Sequence, residues 1–363
     1  MWHVDDLDLR GEWRPRAWLL DPTTDLEREL LVTGGSLERD ETDPHEVTAR
    51  VTVAELTGSP PTRLGQDLMP DGREIRVVAV GTRTGVEVPL LVGPITKTSW
   101  SRSATRAGDV EVEVRPRSWR VSLARWEAPQ VVPSGVPLDT LIHLLVASRA
   151  PAVPRIVADD PRTLSRTLWW GEDTDNDPWV DLRRLARSQS MRLFADRRGA
   201  IRWEAPREHP VVEIGGDLLP IVEASAELDS ERVYSGVVAF NASQKGPAVR
   251  VTVWDTDPLS PTRIDGPFGR KPLFWGSPLF RDAEHAEASA RSRLARVRRQ
   301  LVHATVTCRV HPGLDLTDVV RLTVPGDPLL SDLVRWSVDR ISWDFGDARM
   351  TVELSARIGV LDD

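Results

Sequence analysis

The segment that decides the fold is LVRWSVDRISWDFGDARMTVELSA, residues 333–356, close to the end of the 363-residue chain. Its second half alternates apolar and polar side chains and places Met350, Val352 and Leu354 on one face. Such period-two alternation is typical of a β-strand with one buried side. A Gly-Asp pair at 346–347 marks a turn before this strand. The segment therefore predicts two strands joined by a turn.

An earlier segment, residues 86–114, has the same features in the same order. The dipeptide Ser-Trp stands at 99–100 and again at 342–343, each time before a turn that contains Gly-Asp. Strand candidates at 48–56 and 74–80 match 304–310 and 318–324 in the same way. Any two β-meanders share alternation, so the dipeptide and the turn are the specific part of the match. The sequence predicts two similar β-barrels in one chain.

Helices are predicted mainly in the middle of the chain. A helix over 137–149 begins with Pro137, and a second begins at Asp177-Pro178, where Asp177 is placed as the cap. Residues 118–126 alternate and predict a further strand. We therefore predict a mainly β chain with an α+β insertion. The expected domains are a β-barrel at 1–135, a mixed α/β insertion at 136–222, and a β-barrel at 223–363 with one helix near 282–300.

Composition narrows the class of protein. Hydrophobic residues make up 40% and charged residues 28% of the chain, an ordinary globular balance. The net charge of −8 gives no counterion-release energy on DNA, so we do not expect sequence-independent binding to the duplex. We expect no specific nucleic-acid binding either. Cys308 is the only cysteine, which excludes an intramolecular disulfide and favours a reducing environment. The acidic start, residues 1–10, is unlike a signal peptide, and we expect no membrane insertion.

Motifs of common enzymes are absent from the sequence. There is no G-x-S-x-G elbow, no phosphate-binding P-loop and no G-x-G-x-x-G. His45-Glu46 begins like a zinc-protease helix, but Ala49 occupies the position of the second histidine. The 55 acidic residues offer many carboxylate pairs, and nothing in the sequence marks one pair as catalytic. The sequence therefore neither predicts nor excludes a glycosidase. We predict no catalytic, cofactor-binding or metal-binding residues.

Three features hint at ligands, and each also has a structural interpretation. Asp173, Asp175 and Asp177 resemble the start of a calcium loop, but Arg184 stands where the bidentate glutamate belongs, which favours a helix cap. The arginines at 291–299 suit the negative end of a helix dipole better than nucleic acid. The 14 tryptophans are scattered and are expected in cores and subunit interfaces. Trp169-Trp170 is the best candidate for contact with a partner.

Several segments occur in an order that resembles the tail hub family of long-tailed phages, a group of minor tail proteins. They are Gly35-Ser-Leu-Glu-Arg-Asp40, Asp177-Pro-Trp, Phe194-Ala-Asp-Arg-Arg-Gly199, Val237-Val238-Ala-Phe240, Asp255-Thr-Asp-Pro-Leu-Ser-Pro261 and His311-Pro-Gly-Leu-Asp-Leu-Thr-Asp-Val-Val320. Each segment alone is weak, but the order extends over most of the chain. The resemblance is therefore carried by the set.

The resemblance implies two tube-type β-barrel domains with a mixed α/β insertion, and no catalytic set. It implies a homotrimeric baseplate hub that joins the tail tube protein to the distal tail ring and to tip or fibre proteins. The protein would belong to the virion tail, assembled in the bacterial host cytoplasm, and DNA would pass through an acidic or neutral lumen. The alternatives are the equivalent hub of a phage-derived injection particle, a cell-envelope hydrolase and a free carbohydrate-binding module.

Overall fold

The computed structural model describes most of the chain between residues 11 and 357. Outside the described residues lie 1–10, 22–25, 55–67, 71, 104–105, 165–166, 172–175, 206–209, 218, 232, 242–248, 278–279, 281, 299–301, 325, 328–329, 331–334 and 358–363. The acidic start and two members of the calcium-like loop, Asp173 and Asp175, are among these. In the described part, no helix is long and apolar enough to cross a membrane.

The first barrel is built from antiparallel strands. They are β1 (Trp13–Asp21), β2 (Leu26–Leu30), β3 (Val32–Asp40), β4 (Val47–Ala54), β5 (Glu74–Gly81), β6 (Glu87–Ser103) and β7 (Arg106–Val114). The strands pair in the order β3-β4-β7-β6-β5-β1-β2. Only Leu31 separates β2 from β3 in the sequence, so the two ends of this strand order are adjacent along the chain. The alternating side chains predicted for β4 are buried at Val47, Ala49, Val51 and Val53.

Strand β6 extends through Gly93-Pro94, where the sequence predicts a bend or two strands. It stays one strand but changes partners there: residues up to Pro94 pair with β5, and residues from Ile95 pair with β7. Gly93 is required because a Cβ at this position would lie 1.8 Å from the carbonyl oxygen of Arg115. The second half of β6 therefore extends past β5, and on that side it pairs with no strand among the described residues.

The middle of the chain folds as a unit with its own hydrophobic core. Its elements are α1 (Ser118–Leu123), β8 (Gln130–Val132), α2 (Leu138–Arg149), β9 (Arg155–Val157), β10 (Leu168–Trp170), α3 (Pro178–Ser188), β11 (Arg192–Ala195) and β12 (Ile201–Glu204). Helices α2 and α3 confirm the predicted helices. The predicted strand at 118–126 is wrong: α1 buries Ser118, Val121 and Ser122 at helical spacing, while Leu123 is exposed.

The last part of the chain begins with β13 (Pro210–Ile214) and β14 (Ile221–Leu228). A small unit follows, consisting of β15 (Gly236–Phe240), β16 (Arg250–Trp254), β17 (Pro272–Gly276) and α4 (Ala283–Val297). It has a separate core around Phe280, and Asp282 caps α4 by accepting the His285 N–H at 2.8 Å. The chain ends with β18 (Val302–Arg309), β19 (Val319–Leu322), β20 (Arg335–Asp344) and β21 (Arg349–Arg357).

The second barrel has the strand order that the internal repeat predicts. Its strands pair as β14-β18-β21-β20-β19-β13, which matches β3-β4-β7-β6-β5-β2 with β1 left out. Strand β1 is inserted between β5 and β2, whereas β13 pairs with β19 directly and in parallel. The β-bulges also match: one lies after Val32 and after Ile221, and another after Ile95 and after Val338. Alternation alone does not place bulges, so the agreement identifies a repeat.

The two barrels share one 13-stranded sheet and one continuous hydrophobic core. They are joined by an antiparallel pair between β3 of the first barrel and β20 of the second. The fold class is thus mainly β with an α+β insertion, as predicted. The domain limits at 135 and 222 stay a prediction.

Candidate assembly interface

The junction between the barrels is a pair of strands from distant parts of the sequence. Residues 36–40 of β3 pair with residues 340–344 of β20, with Trp343 opposite Leu37 and Ser342 opposite Glu38. The backbone pairing continues beyond both strands, because Phe345 N–H donates to Gly35 at 2.9 Å and Glu41 N–H donates to Asp339 at 3.0 Å. The junction therefore joins the barrels through one uninterrupted sheet.

Side chains on the two faces of the junction differ in polarity. On one face, Arg340 forms an ion pair with Glu38 and lies 3.6 Å from the carboxylate of Glu353. On the other, Trp343 is 3% exposed, and its ring meets Phe345 edge-on with centroids 5.2 Å apart. The indole N–H of Trp343 donates to the Asp347 carbonyl at 3.0 Å, so its polar atom is satisfied. An apolar anchor and an ion pair thus hold the barrels edge to edge.

A buried cluster of charges fastens the middle unit to the first barrel. Glu46, in the turn before β4, accepts from Arg183 at 3.0 Å and from Arg192 at 2.9 Å. Both arginines belong to the middle unit, and Glu46 is 5% exposed. Nearby, Trp179 donates its indole N–H to the Pro44 carbonyl at 2.7 Å. Because these charges are buried and paired, losing one partner would leave another unpaired in a water-poor site.

A second set of ion pairs is centred on Asp315, in the loop between β18 and β19. Arg39 of β3 lies 2.9 Å from its carboxylate, and Arg197 of the middle unit lies 3.1 Å from it. Burial alone would raise the pKa of Asp315, but Arg39, Arg197 and Arg192 outweigh it and hold the pKa well below its usual range. Both barrels and the middle unit meet at this carboxylate.

Asp318 is perturbed in the opposite direction. Burial, together with the neighbouring Asp315 carboxylate, raises the pKa of Asp318 to about 6. The folded protein therefore disfavours the charged Asp318. The resulting loss of stability is absent below the ordinary aspartate pKa, grows as the pH rises, and is complete above about 6.

We expect Asp318→Asn to stabilise the protein at pH 7–8 by about 1 kcal/mol or more, since one pKa unit corresponds to about 1.4 kcal/mol. The amide oxygen keeps an acceptor for the Asp315 N–H, which lies 2.7 Å from the carboxylate. Thermal unfolding at a series of pH values measures the effect, and the gain should shrink towards pH 4. A gain that does not depend on pH would contradict the electrostatic origin.

The residues singled out from the sequence have structural contacts in the described part. The His45 ring lies 3.0 Å from the Ser118 hydroxyl and 3.2 Å from that of Ser122, and burial lowers its pKa to about 4. Ser118 and Ser122 are 0% and 2% exposed, so this serine–histidine group is buried. Asp177 caps α3 by accepting from Trp179 and Val180 N–H, as predicted. Among the described residues, no cluster of three or more potential ligands is suited to a metal.

Two arginines at the end of α4 have partners within the chain, and the two tryptophans of β10 differ in exposure. Arg298 forms an ion pair with Asp255 at 3.3 Å, and Arg293 lies over the Trp275 ring. Trp170 is buried and stacks on Trp126, with ring centroids 6.1 Å apart. Trp169 is 58% exposed. Of the Trp169-Trp170 pair predicted to contact a partner, therefore, Trp169 has its ring at the surface and Trp170 does not.

Solved structures show the same fold. The chain is similar to the tail protein from Neisseria meningitidis MC58, at a TM-score of 0.67 and 12% identity, covering 95% of this chain and 96% of that one. It is also similar to the 43 kDa tail protein of prophage MuSo2 from Shewanella oneidensis, at a TM-score of 0.63 and 12% identity, covering 94% and 98%. The chain has the fold of these tail proteins.

A third similar structure comes from a secretion system. It is an E. coli protein described as a component of the type VI secretion system with structural similarity to the T4 bacteriophage tail proteins gp27 and gp5. Its TM-score is 0.51 at 10% identity, covering 97% of this chain and 74% of that one. No protein-family model matches the sequence, and no curated protein matches it. The likeness is therefore one of fold.

Three of the segments that carry the family resemblance meet at the charge cluster around Asp315. Arg39 belongs to Gly35–Asp40, Arg197 to Phe194–Gly199 and Asp315 to His311–Val320. Sequence reasoning alone did not identify the cluster, because its members are far apart and nothing in their local patterns marks them as partners. Their placement in the three segments is the signal that was available.

Proposed function

We propose that the chain is a structural hub subunit of a bacteriophage tail, without catalytic activity. The observation that carries the proposal is the pair of barrels with one strand order and matching bulges, joined edge to edge by β3 and β20. A hexameric tube presents six equivalent subunits, and three copies of a two-barrel chain present six similar barrels. A closed homotrimeric ring therefore meets the tube without a symmetry mismatch. The likeness to phage tail proteins supports the same function.

In this role the ring would join the tail tube protein to the distal tail ring and to tip or fibre proteins, in a virion tail assembled in the host cytoplasm. DNA would pass through its lumen. A chain with a net charge of −8 suits a lumen that is predominantly acidic or neutral, because phosphates are then repelled and not retained. Trp169 is the exposed aromatic side chain of the middle unit that we assign to contact with a neighbouring tail protein.

We expect averaged images of tail particles to show this protein as a ring of threefold symmetry, with six similar barrels around the channel and few arginines along its wall. Native mass spectrometry of the purified protein should give a trimer in equilibrium with monomer. A tail preparation without the ring provides the matched control for the density. A stable dimer or fivefold symmetry would contradict the ring, and a channel lined by arginines would contradict the proposed lumen.

The equivalent hub of a phage-derived injection particle is the second candidate, and the likeness to a type VI secretion component favours it. Both functions use the same ring, so images of the whole particle that contains the protein distinguish them. A DNA-filled head indicates a phage, and its absence indicates an injection device. The cell-envelope hydrolase is the alternative that activity tests address. Turnover of cell-wall substrates that one carboxylate substitution abolishes would favour it over the hub.

A further inference from the structure

The second half of β6 has an open edge. Residues 97–101 pair with β7 on one side, and on the side of β5 they face no strand among the described residues. The Thr98 hydroxyl donates to the Leu68 carbonyl, but this is a side-chain bond and does not use the backbone groups of the edge. Trp100 on this segment is 49% exposed, and Lys97 is exposed as well. Such an edge is a template for pairing with another strand.

Strand β14 has the second open edge. In the described part of the chain it pairs with β18 alone, and its other side faces no strand. Glu223, Ser225, Ala226 and Glu227 are all exposed along it. The two open edges belong to different barrels, β6 to the first and β14 to the second.

The internal repeat relates these two edges to the junction already formed within the chain. Strand β6 corresponds to β20, and β14 corresponds to β3. The correspondence is fixed residue by residue, because the partners on the adjacent strands match: Trp100 pairs with Val110 as Trp343 pairs with Met350, and Ala226 pairs with Ala304 as Leu37 pairs with Ala49. The edge of β20 that β3 occupies is therefore the edge that β6 leaves open.

The side chains at the corresponding positions are complementary in the same way. Lys97 of β6 stands where Arg340 stands, opposite Glu113 as Arg340 is opposite Glu353. Glu227 of β14 stands where Glu38 stands, and Glu38 is the ion-pair partner of Arg340. Trp100 stands where Trp343 is buried. The open edge of β6 thus carries a cation and an exposed indole, and the open edge of β14 carries an acid and small side chains that can face them.

We propose that β6 of one copy pairs antiparallel with β14 of the next copy, so that the junction between chains repeats the β3–β20 junction within the chain. Translating the observed register gives Ser99 opposite Glu227, Trp100 opposite Ala226 and Lys97 opposite Asp229. Lys97 then reaches Glu227 as Arg340 reaches Glu38. The partner is a second copy of this chain, and the proposal rests on the homotrimeric ring proposed above.

A cysteine pair tests the register directly. At the internal junction, the hydrogen bonds from Phe345 and Glu41 make Ser342 and Glu38 a non-hydrogen-bonded pair. Cα atoms in such pairs lie about 4.5 Å apart, which is within the range of about 4.4–6.8 Å that a disulfide spans. The double variant Ser99→Cys, Glu227→Cys places thiols at the corresponding positions between copies. Under mild oxidation we expect covalent dimers and trimers on a non-reducing gel.

Two controls come from the same chain. Ser342→Cys with Glu38→Cys should form its disulfide within one chain and stay monomeric on the gel. Ser99→Cys with Ser225→Cys is displaced by two residues, where the Cα atoms are about 7–8 Å apart, and should not cross-link. Cys308 is buried, so the natural thiol does not compete.

The outcomes separate this proposal from the ring itself. A trimer in native mass spectrometry without the 99–227 disulfide, or with equal cross-linking in the displaced control, overturns the strand pairing and leaves the ring. No trimer and no disulfide overturns both. As a second readout, Lys97→Glu should weaken the trimer, and adding Glu227→Lys with Asp229→Lys should restore it, because like charges facing each other across a strand pair are destabilising. Failure of this rescue contradicts the proposed register.

Discussion

Glu46→Gln is expected to lower the free energy of unfolding by about 3–5 kcal/mol, the cost typical of breaking a buried ion pair. Glu46 is 5% exposed and binds both Arg183 and Arg192. The amide keeps the shape of the side chain but removes its charge, so two guanidinium groups are left in a water-poor site with one neutral partner. Chemical denaturation measures the effect, and hydrogen exchange should show faster exchange in α3 and β11 than in the barrels.

Glu29→Gln is the matched control, because Glu29 also forms an ion pair, with Arg16, but on the surface. Water solvates both members of that pair, and the stability change should be much smaller. Equal losses from the two substitutions would show that burial does not decide the cost. A small loss at Glu46 alone would show that the middle unit is held by apolar packing and by Trp179, whose indole binds the barrel turn at Pro44.

Local patterns predicted the elements whose causes are local. Asp177-Pro178 was enough to predict the start of α3, because capping and the fixed φ of proline act within a few residues. The strand order of the repeat followed from a shared dipeptide and turn. The strand predicted at 118–126 was wrong because Trp119, Val121 and Leu123 alternate by type, whereas packing against α3 buries the residues at helical spacing.

The interface depends on pairings that no local pattern contains. Arg340 and Glu38 are 302 residues apart and meet because β20 and β3 are adjacent in space. The side chain that a strand edge presents can be read from alternation, but the strand that covers the edge cannot. Trp100 is 49% exposed and Trp343 3%, although both follow a serine and precede a turn.

Trp343→Ala and Trp100→Ala are expected to change the stability of the single chain by very different amounts, although the two residues occupy equivalent positions in the repeat. Trp343 is 3% exposed within the chain's own junction, so its removal should lower the free energy of unfolding by about 3–5 kcal/mol. Trp100 is 49% exposed, so its removal should change the stability of the single chain by less than about 0.5 kcal/mol. Denaturation of dilute protein measures both.

The effects on assembly of the folded chains should have the reverse order, with the larger effect at Trp100. If the next copy covers Trp100 as β3 covers Trp343, Trp100→Ala removes an anchor of at least about 2 kcal/mol and weakens the trimer about 30-fold. Trp343→Phe keeps an aromatic ring inside the chain and should leave the trimer nearly intact. A Trp100→Ala protein that assembles like the original would show that the contact between copies does not bury this indole. Because the repeat equates the two positions, that result would also mean that the second junction differs in register from the first.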